Sequence, residues 1–310
     1  MTTPRLAVVI PARNEAAHIG ACLRSVAAQG WPAARVEVIV IDDGSTDDTG
    51  ALARAAGATV LRTGGVGPSR GRNLGVAATR AELCFFTDAD CELAPGCLTT
   101  LAADLAAAGP AVASVGGRQA APADDPPYAQ RVQRFLAAVG FVSEYARGGG
   151  AARPARHNPS CAALVRRAAL AHVGGFREDL WPCEDLDLDL RLARAGFGLR
   201  FVPAALVYHH RPATPAAFRR MMRGYGRGHA ALVKLHGPTR LLHALPFVTV
   251  ASSGLAPGAA LASAPAWLRL RGAPADEIPA LTAMLAATLW QWHLGFAEGL
   301  LGRSAIAPPA

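Results

Sequence analysis

VIVIDDGSTDDT, residues 38–49, decides the fold: four β-branched residues run straight into two adjacent carboxylates, Asp42 and Asp43. An unbroken Val/Ile run reads as a strand covered on both faces, as in a parallel sheet. Gly44 marks a sharp turn. Ser45 or Thr46 can cap the helix that follows, and Asp47 and Asp48 suit its positive N-terminal end. Asp42 and Asp43 have no such local explanation. They stand at the carboxyl end of a strand, where open α/β sheets bind their ligands. The ligand spacing and closing Glu of a calcium-binding EF-hand loop are missing.

Outward from this stretch the rhythm strand, turn, helix occurs four times. Leu6–Ile10 leads through PARNE to a helix near 16–29, and 36–41 through DDGS to one near 47–56. Residues 58–62 lead through a glycine-rich turn to a helix beginning near Ser69, and 83–87 through DAD to one near 95–107. The alternation predicts a mostly parallel sheet flanked by helices. A less regular half follows. GGRQAAPADDPP (116–127) and RGGGAARPARHNPS (147–160) read as mobile loops on either side of a helix over 128–146. Next come a strand over 161–165, a helix over 184–195, and strands near 199–202 and 206–209. From Thr214 the chain reads as helical, which divides it into a domain over 1–213 and a helical region over 214–310.

The bulk numbers fit this division. With 310 residues, 51% of them hydrophobic, the chain can bury one large core or two smaller ones. Its 31 basic and 23 acidic residues give a net charge of +8, suited to a nucleotide, phospholipid or nucleic acid. Leu6–Ile10 is too short for a signal-peptide core, so a cytoplasmic N-terminus is expected. Six cysteines (Cys22, Cys84, Cys91, Cys97, Cys161, Cys183) form no C-x-x-C pair and read as reduced structural thiols rather than a zinc site or disulfides.

PARNE, DDGS and TDAD all fall at carboxyl ends of predicted parallel strands, which points to one ligand crevice. In TDADCE, Asp88 and Asp90 are one residue apart. In extended chain their side chains point the same way and can face one hard cation, Mg²⁺ or Mn²⁺, shared with substrate phosphates. GGVGPSRGRNLG (64–75) holds glycines, a cap-like Ser69, Arg70 and Arg72 before a helix, the elements of an anion site but not a Walker loop. In WPCEDLDLDLRLARAG (181–196), Glu184 and Asp185 open a helix. Asp187 and Arg191 can pair along its surface, and Asp189 is expected to be exposed. His209 and His210 end a strand, and one of them can reach the crevice.

The ordered motifs VVIPARNE, VIDDGSTDDT, SRGRN, FTDAD, VGGF, CED and YHH resemble family 2 glycosyltransferases over residues 5–230. The resemblance implies a GT-A (Rossmann-like) α/β fold. It implies that Pro11, Ala12, Arg13 and Glu15 form the first nucleotide-contacting turn, and that Asp43 hydrogen-bonds the nucleobase. Arg70 then lies near the nucleotide, Asp88 and Asp90 bind the metal, and His209, rather than His210, joins them. Asp185 matches the catalytic base, with Glu184 beside it. The Q-x-x-R-W motif of polymerising members is absent, which favours transfer of a single sugar. The implied partners are a nucleotide-sugar donor, a UDP-sugar first with guanine and thymine donors left open, and a saccharide acceptor, with no nucleic acid. A sugar nucleotidyltransferase would carry its basic Gly-rich loop where PARNE stands, and a non-catalytic scaffold would not need Asp43, Asp90 and Asp185 together.

Two runs in the C-terminal region, 241–268 and 278–297, lack Asp, Glu, Lys and Arg. The second is just long enough to span a bilayer, yet its stripe Ile278, Leu281, Leu285, Leu289, Trp292, Phe296 equally suits a packed or interfacial helix. Arg219, Arg220, Arg223 and Arg227 lie on the helix before them, and Gly224, Gly226 and Gly228 weaken it. The expectation is attachment to the inner face of the cytoplasmic membrane, with basic side chains against anionic lipid and a lipid-linked or membrane-proximal acceptor.

Overall fold

The computed structural model describes residues 5–139, 149–237 and 257–302. Strands β1 (Leu6–Ala12), β2 (Val36–Asp42), β3 (Thr59–Arg62) and β4 (Leu83–Phe86) form a parallel block in the order β3-β2-β1-β4. The Val/Ile runs are buried on both faces. Val8, Ile10, Val40 and Phe85 enter one core, while Val9, Ile39, Ile41 and Phe86 enter the other, as a side-chain period of two requires. Helices α1 (Ile19–Ala27), α2 (Thr49–Ala55), α3 (Pro68–Ala77) and α4 (Cys97–Ala107) follow these strands in turn, α4 after the short β5 (Cys91–Leu93).

Ile10 pairs with Val40 and Val9 with Phe86, so PARNE, DDGS and TDAD leave the sheet at one edge. β2 and β3 lie on one side of β1 and β4 on the other. The direction of winding therefore reverses between β1 and β4, which opens the crevice there.

The second half of the sheet departs from the expected loops. Residues 116–120, read as part of a loop, are the end of strand β6 (Val112–Ala120). Its glycines mark close approaches: a Cβ on Gly116 would overlap the Asn158 amide, and one on Gly117 would sit 3.1 Å from the Ala205 carbonyl oxygen. β7 (Arg153–Ala155) lies within the other expected loop. β8 (Ala163–Arg166) joins β4 and β6 antiparallel. The two short strands expected over 199–209 are a single strand, β9 (Gly198–His209). Val202 pairs with Gly117 but Leu206 with Arg118, so the chain bulges between them. β9 also pairs with β5 and β7. Helix α5 spans Pro127–Ala138, and helices α6 (Arg167–Val173) and α7 (Glu184–Arg194) complete this half of the sheet, α6 being unannounced by the sequence pattern. The remainder of the helix expected over 128–146, from 140 on, lies outside the described residues, as do 241–256.

The described chain divides into two compact units. One comprises 5–120 and 149–209; the other comprises 121–139, 210–237 and 257–302. The second contains α5 together with α8 (Pro215–His236), α9 (Pro257–Leu270) and α10 (Ile278–Leu300). Thr214 caps α8 by accepting from the Ala217 N–H at 3.2 Å, with Pro215 at the first helical position. Gly226, which weakens the helix in isolation, is what lets α10 approach. A Cβ there would overlap the Trp292 carbonyl oxygen, and one on Gly295 would overlap that of Arg223. Ile278, Leu281, Leu285 and Trp292 of the predicted stripe are buried. Arg223 and Arg227, expected to face lipid, are instead ion-paired with Glu298. Among the described residues no helix is long and apolar enough to cross a membrane.

Candidate active site

PARNE and DDGS are tied into one structure. Asn14 adopts a left-handed conformation (φ 55°), and its Oδ1 accepts from the Thr46 N–H at 2.8 Å. The Asn14 N–H donates to Ser45 Oγ at 3.0 Å and the Glu15 N–H to Thr49 Oγ1 at 2.7 Å. Asp47, rather than Ser45 or Thr46, organises the helix start, accepting from the Thr49 and Ala16 N–H groups. Pro11 and Ala12 end β1, and the Ala12 carbonyl accepts from the Asp43 N–H at 2.8 Å. Arg13 follows with its Nε buried and, among the described residues, without an acceptor.

Asp42 and Asp43 have different tasks. Asp42 Oδ1 accepts from the Ser45 N–H at 2.9 Å and closes the turn. Asp43, 5% exposed, holds the glycine-rich loop. Its Oδ1 accepts from Thr63 Oγ1 at 2.5 Å and from the Gly65 and Val66 N–H groups at 3.0 and 2.6 Å. Its Oδ2 accepts from the Gly67 N–H at 2.8 Å. The loop's N–H groups, expected to await a phosphate, thus already bind an anion of the chain itself. Burial acts to raise the Asp43 pKa, but the Thr63 hydroxyl and three N–H groups outweigh it and hold the carboxyl below its ordinary range. A carboxylate oxygen offers two lone pairs, so Oδ2 retains capacity for one further donor.

At the end of β4 the D-x-D carboxylates meet a histidine. Ligand atoms of Asp88, Asp90, Cys91 and His209 all lie within 4.8 Å of one another. His209 Nε2 is 3.5 Å from Asp90 Oδ2, whereas His210 Nδ1 lies beside Asp125. Burial, and next the Asp90 charge, raise the pKa of Glu15, which places this carboxyl in the same negative cluster. Within this set the two carboxylates and the imidazole suit Mg²⁺ or Mn²⁺, whereas the Cys91 thiol does not.

Arg72 connects this cluster to the E-D pair, which sequence reasoning missed. Its guanidinium, 2% exposed, donates to Asp88 Oδ1 and Glu184 Oε1, each at 2.7 Å. It also lies 5.6 Å from the centroid of the Phe176 ring. Arg70 is more than half exposed and 3.7 Å from Glu178. Ser69 is no cap: its hydroxyl donates to the Leu180 carbonyl. Glu184 is buried, which raises its pKa to about 7 against the opposing Arg72 charge.

Asp185 is more open, at 21% side-chain exposure. Its Oδ2 accepts from the Ser160 N–H at 3.2 Å and its Oδ1 from the Leu186 N–H at 2.8 Å. Behind it stands a second array absent from the sequence reading. His157 Nε2 is 3.9 Å from Asp185 Oδ2, and its Nδ1 is 2.8 Å from Asp189 Oδ2. Asp189 is buried, not exposed as expected, and accepts also from the Asn158 N–H at 2.7 Å. Burial raises the Asp189 pKa to about 6. Burial would lower that of His157, but Asp185 and Asp189 prevail and raise it. The end of the expected mobile loop, 157–160, is therefore fixed by helix α7. Asp187 does pair with Arg191, at 2.6 Å, but is itself buried.

The Glycosyl transferase family 2 model matches residues 7–174, more than half of the chain. An uncharacterized protein of Mycobacterium tuberculosis is 31% identical over 228 residues, 68% of this chain and 69% of that protein. A pre-mycofactocin glycosyltransferase of the same species is 31% identical over 211 residues, 65% of this chain but 42% of the relative. Among solved structures, a mannosyltransferase from Pyrobaculum calidifontis in complex with GDP-Man and Mn²⁺ is similar with a TM-score of 0.65. The two are 21% identical, and the match covers 98% of this chain and 89% of that one. TarS 1-349 of S. aureus in complex with UDP gives a TM-score of 0.53 at 16% identity, over 96% and 92% of the two chains. The fold is GT-A, and the chain is a transferase belonging to glycosyl transferase family 2.

Proposed function

We propose that the protein is a metal-dependent, inverting glycosyltransferase that moves one sugar from a nucleotide sugar, a UDP-sugar first, to an acceptor hydroxyl. One observation carries this reading. The Asp88/Asp90/His209 donor set is linked through the Arg72–Glu184 bridge to the helix start that carries the half-buried Asp185. Asp88, Asp90 and His209 would hold Mg²⁺ or Mn²⁺, which when bound supplies Lewis-acid stabilisation of the departing diphosphate. Pro11, Ala12, Arg13 and Glu15 line the nucleotide. The unpartnered Nε of Arg13 donates to it, Asp43 offers its remaining lone pair to the base, and the exposed Arg70 reaches the phosphates.

Asp185 accepts the proton of the acceptor hydroxyl as that oxygen attacks the anomeric carbon from the face opposite the nucleotide, a contribution of about 10²–10⁴-fold. Its position one residue after a buried Glu184 explains the division of labour: Glu184 is committed to Arg72, and Asp185 is open to substrate. A saccharide or lipid-linked acceptor and the inner face of the cytoplasmic membrane belong to the same reading. Trp290 and Leu301, 66% and 82% exposed, supply apolar side chains for an interface.

Calorimetry of UDP and GDP with and without Mn²⁺, on wild type and Asp90→Ala, tests the core of this reading. Binding that needs Mn²⁺ and disappears in the variant is expected. Equal affinity in a folded Asp90→Ala protein would remove the metal from the reading.

A further inference from the structure

Cys91 and His209 are directly opposed in the antiparallel β5–β9 pair, which puts their side chains on one face. Cys161, in the short 3-10 turn 160–162 that precedes β8, brings a second sulfur to the same point. The Sγ atoms of Cys91 and Cys161 and one ring nitrogen of His209 lie within 4.8 Å of one another. Asp90 borders the group, with Oδ1 3.7 Å from Cys91 Sγ and Oδ2 3.5 Å from His209 Nε2. Zinc–sulfur bonds of about 2.3 Å in a tetrahedron separate the ligand atoms by roughly 3.5–3.8 Å, so small side-chain adjustments suffice.

We propose that Cys91, Cys161 and His209, completed by Asp90, form a second coordination set that takes a thiophilic divalent ion such as Zn²⁺ and thereby inhibits the enzyme. The two sets differ in chemistry. Asp88 and Asp90 offer hard oxygens, which suit Mg²⁺ and Mn²⁺. The sulfur side suits Zn²⁺, whose affinity for nitrogen and sulfur donors exceeds that of Mn²⁺. Both sets need His209 and Asp90, so occupation of the sulfur side withdraws two donors from the oxygen side. On binding, each thiol releases its proton to solvent and the sulfur enters the coordination shell as thiolate. The competition part of this inference rests on the proposed metal-dependent transfer; the existence of the sulfur site does not.

Co²⁺ titration of the metal-free full-length protein, with no nucleotide present, tests the site by itself. Wild type is expected to develop thiolate-to-cobalt charge-transfer absorption in the near ultraviolet, with visible bands of tetrahedral Co²⁺. Added Zn²⁺ should abolish both. Cys161→Ala, checked for folding by thermal melting, is expected to lose the charge-transfer intensity contributed by one sulfur. Cys161→Ser, closer in volume, serves if the alanine variant fails to fold. Absence of the absorption in wild type, or identical spectra in wild type and folded variant, would overturn the site. In transfer assays with Mn²⁺, the half-inhibiting Zn²⁺ concentration should rise at least about tenfold in the Cys161 variant, the smallest loss typical even for groups behind a metal ligand. Unchanged inhibition would overturn the competition, whereas an inactive wild type with an intact cobalt spectrum would count against the transferase reading and leave the site standing.

Discussion

Replacing Arg72 by Met removes the only charge among the described residues seen to touch both Asp88 and Glu184. The methionine fills most of the space left by the side-chain stem but leaves a carboxylate that is 6% exposed without its partner. Breaking a buried ion pair by deleting one member costs about 3–5 kcal/mol. The Asp88 arm, 30% exposed on the acid side, adds little beyond this. The lower end, ~3 kcal/mol, is therefore expected, a fall in Tm of roughly 4–5 °C for a chain of 310 residues.

The loss must also depend on pH. The Glu184 pKa is already raised to about 7 by burial, so the folded protein binds this proton more tightly than the unfolded chain does. The stabilisation from that proton is present at low pH and fades as pH rises through 7. Without Arg72 the folded pKa rises further, and the variant keeps its proton where wild type has released it. The stability gap then widens with pH by at most about 1.4 kcal/mol per unit. Urea unfolding of both proteins at pH 6 and pH 8 is the assay. A gap below about 1 kcal/mol at both values, with no pH trend, would mean that Arg72 acts as an ordinary surface arginine.

Asp43→Asn is expected to weaken nucleotide binding and loosen residues 63–67, because an amide NH₂ cannot accept from the Gly67 N–H; a stranded donor costs about 1–3 kcal/mol. In wild type this carboxylate's contribution is complete above the usual value of about 3.9 and is lost only as pH falls through its lowered folded value, so calorimetry should show no Asp43-dependent change between pH 5 and 7. His157→Gln should lower kcat about tenfold or more while leaving the donor KM unchanged, since His157 acts through Asp185. Wild-type kcat is expected to fall on the alkaline side as the imidazolium, held above its ordinary range by Asp185 and Asp189, deprotonates, and the variant is expected to lack that fall; a change confined to KM would contradict the positioning role. Gly295→Ala should cost about 1–3 kcal/mol in thermal or urea unfolding, because its Cβ overlaps the Arg223 carbonyl oxygen; full stability would show that the helix pair is looser than described.

The parallel half of the sheet was legible because its cause is local. Val36–Asp42 is buried on both faces and ends in a turn, and both features are written in consecutive residues. Asp88, Asp90 and Asp185 stood out in the sequence for the same reason, as short motifs next to strand or helix ends; their roles are the proposal above. Arg72, His157, Asp189 and the Cys91–Cys161 pair were not legible. Arg72 was read as part of an anion site, whereas its guanidinium is taken by Glu184, which a distant helix brings to it. His157 and Asp189 lie in a Gly/Pro/Arg-rich segment and on the face of a helix read as exposed, and only tertiary packing joins them. The anion site read in the glycine-rich loop has its Gly65, Val66 and Gly67 N–H groups taken by Asp43, an anion of the chain itself, which the loop sequence alone does not reveal. A signal did exist in the arginine case: R-G-R places Arg72 two residues beyond Arg70, on the opposite side of a helix turn and toward the sheet.

The most direct test of the transferase reading is Asp185→Asn, assayed for sugar transfer and, separately, for donor binding with Mn²⁺. Amide and carboxylate have nearly the same shape, so the bonds from the Ser160 and Leu186 N–H groups can be kept in part and the donor site is undisturbed. Loss of transfer by about 10²-fold or more with donor affinity within about threefold of wild type is the predicted result, the loss being that of a general base. A variant that keeps more than about a tenth of wild-type kcat would contradict the assignment of Asp185 as the group that takes the acceptor proton.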